Sequence, residues 1–265
     1  MRTPPVLLTI AALALGSIAK PALGHDFWIE PSTYRPAPGQ RVTLRHRVGN
    51  DFLGDPVRRD ESLLVRFVTV GAEAEQRVPG VAGIDPAGIA QAPGSGTLVV
   101  AYESRGSLAE LTAEKMAVYV EQEGIAPQLP RGWRGRKLLR DRFSRSVKSL
   151  LVVQGDGSAG FDRVAGLPLE LVPLADPATL LPGGTLPLRL LWRGKPAGGI
   201  HVAAISRLDP KHPVAATTDA GGEVALALPR GGEWLIKAVK IAPSKDADAD
   251  FESVWTSITF VAGNR

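Results

Sequence analysis

The chain has no cysteine among its 265 residues. That excludes disulfides, thiolate metal ligands, a cysteine nucleophile and a lipid anchor on sulfur. Histidine is scarce, at four residues, and only 6% of the chain is aromatic. Charge of one sign is also lacking. Thirty-one basic residues face 27 acidic ones, so nothing requires a nucleic-acid partner. No segment is apolar for the ~20 residues that a membrane helix needs. Catalytic patterns are missing too. No serine lies in a G-x-S-x-G context, no H-E-x-x-H occurs, and the carboxylate pair Glu121 and Glu123 implies no pocket. The expectation is a protein that is not an enzyme.

What is present begins with an export signal over residues 1–24. Arg2 supplies the positive end, and VLLTIAALALGSI, from Val6 to Ile18, the apolar stretch. Small residues at Ala22 and Gly24 allow a cut before His25; Ser17 and Ala19 allow one before Lys20. The first is favoured, because the second puts Pro21 beside the scissile bond. The mature chain would be a soluble periplasmic protein with 29 basic and 27 acidic residues.

Twenty-nine glycines and 22 prolines separate short apolar runs, which points to β-structure. In RVTLRHRV, Val42, Leu44, His46 and Val48 share one face. LLVRFVTV and TLVVAY read as two more strands. The middle changes period. TAEKMAVYVEQEG carries Thr112 as N-cap and Gly124 as the C′ glycine. Leu139, Phe143, Val147 and Leu151 recur every four residues and predict a second helix. A helical excursion is therefore expected at about 112–148. From Leu167 onward six strands separated by Gly-rich turns return, with a boundary near DPATLLPGG. The expected organisation is an N-terminal sandwich over 25–175 and a C-terminal one over 176–265.

A histidine freed at the N-terminus offers its α-amine and Nδ1 to one ion. Reference pKa values of about 7.7 and 6.5 make both available near neutrality. Nitrogen donors suit Cu(II) or Ni(II). Asp26 adds a carboxylate. His46, on the apolar face of its strand, is either a buried histidine or an inward ligand. His201 lies opposite Ile200, Val202 and Ala204, and is a surface residue or a further ligand. His212, in DPKHPV, falls in a Pro-bounded loop. The candidate ligands are thus His25, Asp26, His46 and His201. SKDADADFES resembles a calcium loop, but Phe251 stands where glycine is required, so it reads as a solvated acidic hairpin tip. RGWRGRKLLRDRFSRSVK holds eight basic residues and reads as a solvated helix face, with anionic lipid as the other option.

HDFWIEPS after a signal, then YRPAPGQRVTLRHRVG, VPGVAGIDPAG, ELTAEKMAVYVEQEG, RDRFSRSVKSLLVV and VWTSITF, together resemble an exported bacterial family of unknown function, sometimes labelled a nickel-uptake periplasmic component. The resemblance spans the mature chain. It implies a mainly β protein of two immunoglobulin-like or transthyretin-like sandwich modules. It also implies work beside a membrane transporter for nickel or cobalt, with the histidine freed by signal cleavage, here His25, as primary metal ligand. The expected function is capture of a divalent transition metal (Ni, Co or Cu). The alternatives are a non-catalytic module binding protein or glycan, and a copper oxidase with a histidine brace, which would need a second histidine.

Overall fold

The computed structural model describes residues 25–71, 74–154 and 159–263; the expected leader lies outside them. The chain is mainly β, as the sequence implies. Its first half forms β1 (Asp26–Pro31), β2 (Arg41–Asn50), β3 (Leu53–Val57), β4 (Leu64–Val70), β5 (Glu75–Arg77), β6 (Gly88–Gln91), β7 (Thr97–Ser104) and β8 (Ser107–Thr112). Helix α1 (Ala113–Gln122) and strand β9 (Leu138–Val152) follow. The rest is β10 (Leu169–Pro173), β11 (Thr185–Trp192), β12 (Lys195–Pro196), β13 (His201–Ser206), β14 (Asp209–Thr217), β15 (Glu223–Ala227), β16 (Gly232–Pro243) and β17 (Phe251–Ala262). No helix among the described residues is long and apolar enough to cross a membrane.

Three sheets make three layers. The central sheet runs β14-β13-β16-β17-β9-β7-β4-β5, with β8 also on β9. β17 and β9 pair in parallel, and this seam joins strands from the two halves of the chain. A sheet of β1, β2, β3 and β6 covers one face; a sheet of β10, β11, β12 and β15 covers the other. Strand alternation assigns the faces. Leu98, Val100 and Tyr102 of β7 pack with Phe27, Val42 and Leu44, whereas Val99 and Ala101 pack with Leu169, Leu188 and Leu226. The two expected modules therefore share one sheet. The boundary expected at 176 falls between the paired strands β10 and β11.

The helical excursion needs correction. α1 forms as read, with Thr112 Oγ1 accepting from the Lys115 amide at 3.4 Å. The helix predicted after it is instead the 15-residue strand β9. A four-residue repeat is a multiple of two, so it also keeps one face of a strand. Leu139 and Phe143 pack with α1, and Val147 and Leu151 pack under β1 and β2. DPKHPV is likewise strand β14 rather than loop, and His212 is exposed there beside Asp209.

β9 also settles the two charged runs. The acidic hairpin between β16 and β17 folds back onto the basic face of β9. Asp250 meets Arg136 at 2.8 Å and accepts from the Arg140 amide at 2.8 Å. Arg142 lies 3.3 Å from Asp246 and 2.5 Å from Asp248. The runs read separately as a solvated tip and a solvated helix face are each other's partners. The exposed Arg142 pairs contribute little apiece, so they fix register more than stability.

Candidate metal and ligand site at the start of β1

β1 stands over the seam between β17 and β9. It pairs with β2 on one edge only. On the other, Ser257 Oγ donates to the Phe27 carbonyl at 2.7 Å, and Thr259 Oγ1 donates to the Ile29 carbonyl at 2.8 Å. Because the strand stands edge-on, its side chains part to the two sides of the seam. Phe27 and Ile29 enter the core of the first half. Trp28 packs with Phe52, Ile205 and Leu235. Glu30 meets Arg47 at 2.6 Å and Arg207 at 2.9 Å. The apolar pattern of DFWI is thus what holds the first residues in place. Thr259→Val should cost about 1–2 kcal/mol in chemical denaturation, because the Ile29 carbonyl loses its buried donor.

His25 begins the described chain. Its carbonyl accepts from Arg145 Nη1 at 3.0 Å. Its Nδ1 is buried and has no hydrogen-bond partner among the described residues. Arg145 is itself buried against the rings of Trp255, Phe143 and Phe27, at 4.9, 5.2 and 5.7 Å. Burial pulls its pKa down to about 10, against the nearby Tyr119, Asp26 and Glu123.

Asp26 points to the other side, where its Oδ1 lies 2.6 Å from Lys237 Nζ. The same ammonium reaches Glu123 Oε1 at 2.8 Å. Burial works against the charged lysine, but the two carboxylates outweigh it and hold its pKa above the ordinary value. Burial raises the Glu123 pKa, helped by Asp26 and opposed by Lys237. These side chains line a cavity of about 320 Å³ together with His201, Asn50 and Asp51. Gly124 lets α1 end against the imidazole, since a Cβ there would lie 2.7 Å from His201 Cγ. Burial and then Lys237 lower the His201 pKa, so the ring is held neutral.

The structure brings two of the four candidate ligands, Asp26 and His201, to one cavity. His25 is the residue immediately before β1. His46 is apart from them. It pairs with Ile29, about 13 Å of strand beyond His25. It is 2% exposed, among Phe27, Phe67 and Tyr102, and is a core histidine. Burial, with repulsion from Arg59, holds its pKa down at about 3. Among the described residues, no three His, Asp or Glu side chains converge closely enough to hold a metal ion. Lys237 already lies between the Asp26 and Glu123 carboxylates, and the unpartnered donor beside them is His25 Nδ1. Three residues of the site were not expected from the sequence: Glu123, Lys237 and Arg145. Each of the two cations interrupts an otherwise apolar alternation, Leu235–Lys237–Val239 and Phe143–Arg145–Val147.

The fold and site define a layered β-sandwich protein with a buried polar cluster at its first strand. The chain belongs to the family DUF4198, a domain of unknown function, whose model matches residues 22–242. No curated protein matches. Among solved structures, the D0-D1 domain of Intimin shares 14% identity at a TM-score of 0.22, over 89% of this chain and 97% of that one. The Yersinia pseudotuberculosis adhesin InvE is similar at 14% identity and a TM-score of 0.22, over 89% of this chain and 58% of that one. Superpositions this loose leave the fold to be read from the strands themselves.

Proposed function

We propose that the protein is a non-enzymatic periplasmic accessory that captures a divalent transition metal at His25 for a membrane uptake system. The observation that carries this reading is His25 Nδ1, buried and without a hydrogen-bond partner among the described residues. Arg145 binds the His25 carbonyl and Lys237 the Asp26 carboxylate, which supports a backbone ordered around the ring before any ion arrives. Cleavage before His25 adds the α-amine and completes a two-nitrogen chelate suited to Ni(II), Co(II) or Cu(II). Asp26 and the neutral His201 lie in the adjoining cavity and supply further donors only if Lys237 gives way.

The test uses two preparations, one beginning at His25 and one with a single alanine before it. Titration with Ni(II) and Cu(II) should show one tight site in the first. Affinity in the second should fall by more than ~100-fold, because the amine becomes an amide that is hard to deprotonate. Equal binding by both, with equal thermal stability, would refute capture at the terminus. The intact mass of the exported protein shows which preparation corresponds to the natural one.

A further inference from the structure

A second cavity is on the other face of the central sheet, away from β1. It is an open cleft of about 470 Å³ where β9 and β17 pass the ends of β7 and β11. Val254 and Leu167 line it with apolar surface. Trp192 and the charged side chains of Arg193, Arg105, Arg142, Glu103 and Glu252 line it as well. That volume is within the usual range for small-ligand sites.

Trp192, half-buried at the end of β11, is its aromatic wall. The Arg193 guanidinium lies 4.8 Å from the Trp192 ring centroid, and Lys240 Nζ lies 5.6 Å from it. Arg193 heads the tight turn to β12 with φ at +49°, a left-handed conformation that glycine or asparagine adopts more cheaply. The following Gly194 is also left-handed, at +76°. The Arg193 amide donates to the Pro168 carbonyl at 2.8 Å, tying this turn to the roof of the cleft. A long charged side chain is therefore kept at a strained position, where it leans over the indole. Its ion pair with Glu252, at 3.6 Å between exposed groups, is weak and free to exchange for a ligand.

We propose that this cleft binds a saccharide unit of a glycan. The lining carries charges of both signs, and that decides the ligand class. Glu103 and Glu252 oppose a polyanion; Arg105 and Arg193 oppose a cation, and a third guanidinium, Arg142, is already taken up by Asp246 and Asp248. A neutral, hydroxyl-rich ligand uses both, because each hydroxyl donates to a carboxylate and accepts from a guanidinium. When Arg193 swings off the indole, the ring supplies a flat apolar surface for the axial C–H groups of a pyranose ring. The site is separate from β1 and needs no metal.

The experiment titrates the full chain with neutral oligosaccharides (cellotetraose, chitotetraose, maltotetraose and xylotetraose) at millimolar concentration, following backbone and indole NMR signals. Polysialic acid and an unrelated peptide are the comparators. At least one neutral oligosaccharide should shift the Trp192 indole and the amides of residues 103–106 and 192–194. Trp192→Ala should abolish the shifts. Arg193→Gly is the second variant, because it relieves the left-handed strain. It should melt at the same temperature as the parent or higher, yet bind at least tenfold more weakly. No shift with any neutral oligosaccharide would overturn the proposal. So would shifts with the polyanion or peptide alone, or binding that survives both substitutions.

Discussion

His46→Leu should leave stability near its parental value at pH 7 and raise it by about 3 kcal/mol by pH 4. The reason is where His46 sits. Its pKa falls from an ordinary 6.5 to about 3, chiefly through burial. Between those values the unfolded chain binds a proton at this residue and the folded chain does not. Its contribution to stability is therefore whole above pH 6.5 and lost as pH falls toward 3. At neutral pH two effects offset. Leucine removes the buried Nε2, which has no hydrogen-bond partner among the described residues. It also removes ring contacts with Tyr102, Phe67 and Phe27, at centroid distances of 4.4, 4.9 and 5.2 Å. Asp141 pulls the parent the opposite way. Burial pushes its pKa up to about 6, opposed by the Ser253 hydroxyl, which donates to Oδ2 at 2.6 Å. Its share of stability is present at low pH and lost as pH rises through about 6. The parental curve is thus flattened by two opposed groups. Denaturant unfolding of parent and variant from pH 4 to 8 reads the difference directly. A difference that stays constant with pH would show that His46 is not the acid-sensitive group. Metal titration of the variant should match the parent, because His46 is a core residue.

The strands whose apolar residues alternate were legible from the sequence, and so was α1, whose cap residues announce both of its ends. β9 was not. Its apolar spacing of four satisfies a helix and a strand equally, and only the tertiary partners decide between them. Those partners are β17, β7 and β8, which lie far along the chain or pair on the far edge. The salt links between the acidic hairpin and β9 were invisible for the same reason: some 110 residues separate Arg140 from Asp250. The site was legible in part. HDFW drew attention to residues 25–28, and Phe27 and Trp28 are buried as their size requires. The charges beneath them were missed, although Lys237 and Arg145 each break an apolar alternation. A lone cation on a buried face needs a carboxylate or carbonyl partner, and that need is itself a signal. Applied to β16 and β9, it would have pointed to Asp26, Glu123 and the His25 carbonyl.

The same rule picks out Lys148, the one buried cation on the face of β9 toward the second sheet. Glu170→Gln should cost about 3–5 kcal/mol, because it leaves that ammonium buried without a counter-charge. Both side chains are 1% exposed, and Lys148 Nζ meets Glu170 Oε1 at 2.8 Å. Burial pulls the lysine pKa down, and the neighbouring Glu170 opposes that pull. The carboxylate has other duties. It accepts from the amides of Ala165 at 2.6 Å and Leu167 at 3.0 Å, and so holds the segment that roofs the Trp192 cleft. Glutamine keeps one acceptor for those amides but loses the charge. Adding Lys148→Met removes the stranded ammonium and leaves that acceptor in place. The double variant should therefore recover most of the loss, and a double-mutant cycle in denaturant measures the coupling. A single-variant cost below about 1 kcal/mol would mean that the lysine is neutral in the folded state. A double variant no better than Glu170→Gln alone would place the whole effect in the two amides. In that case the role of Glu170 is to shape the roof of the cleft, and the charge of Lys148 is incidental to it.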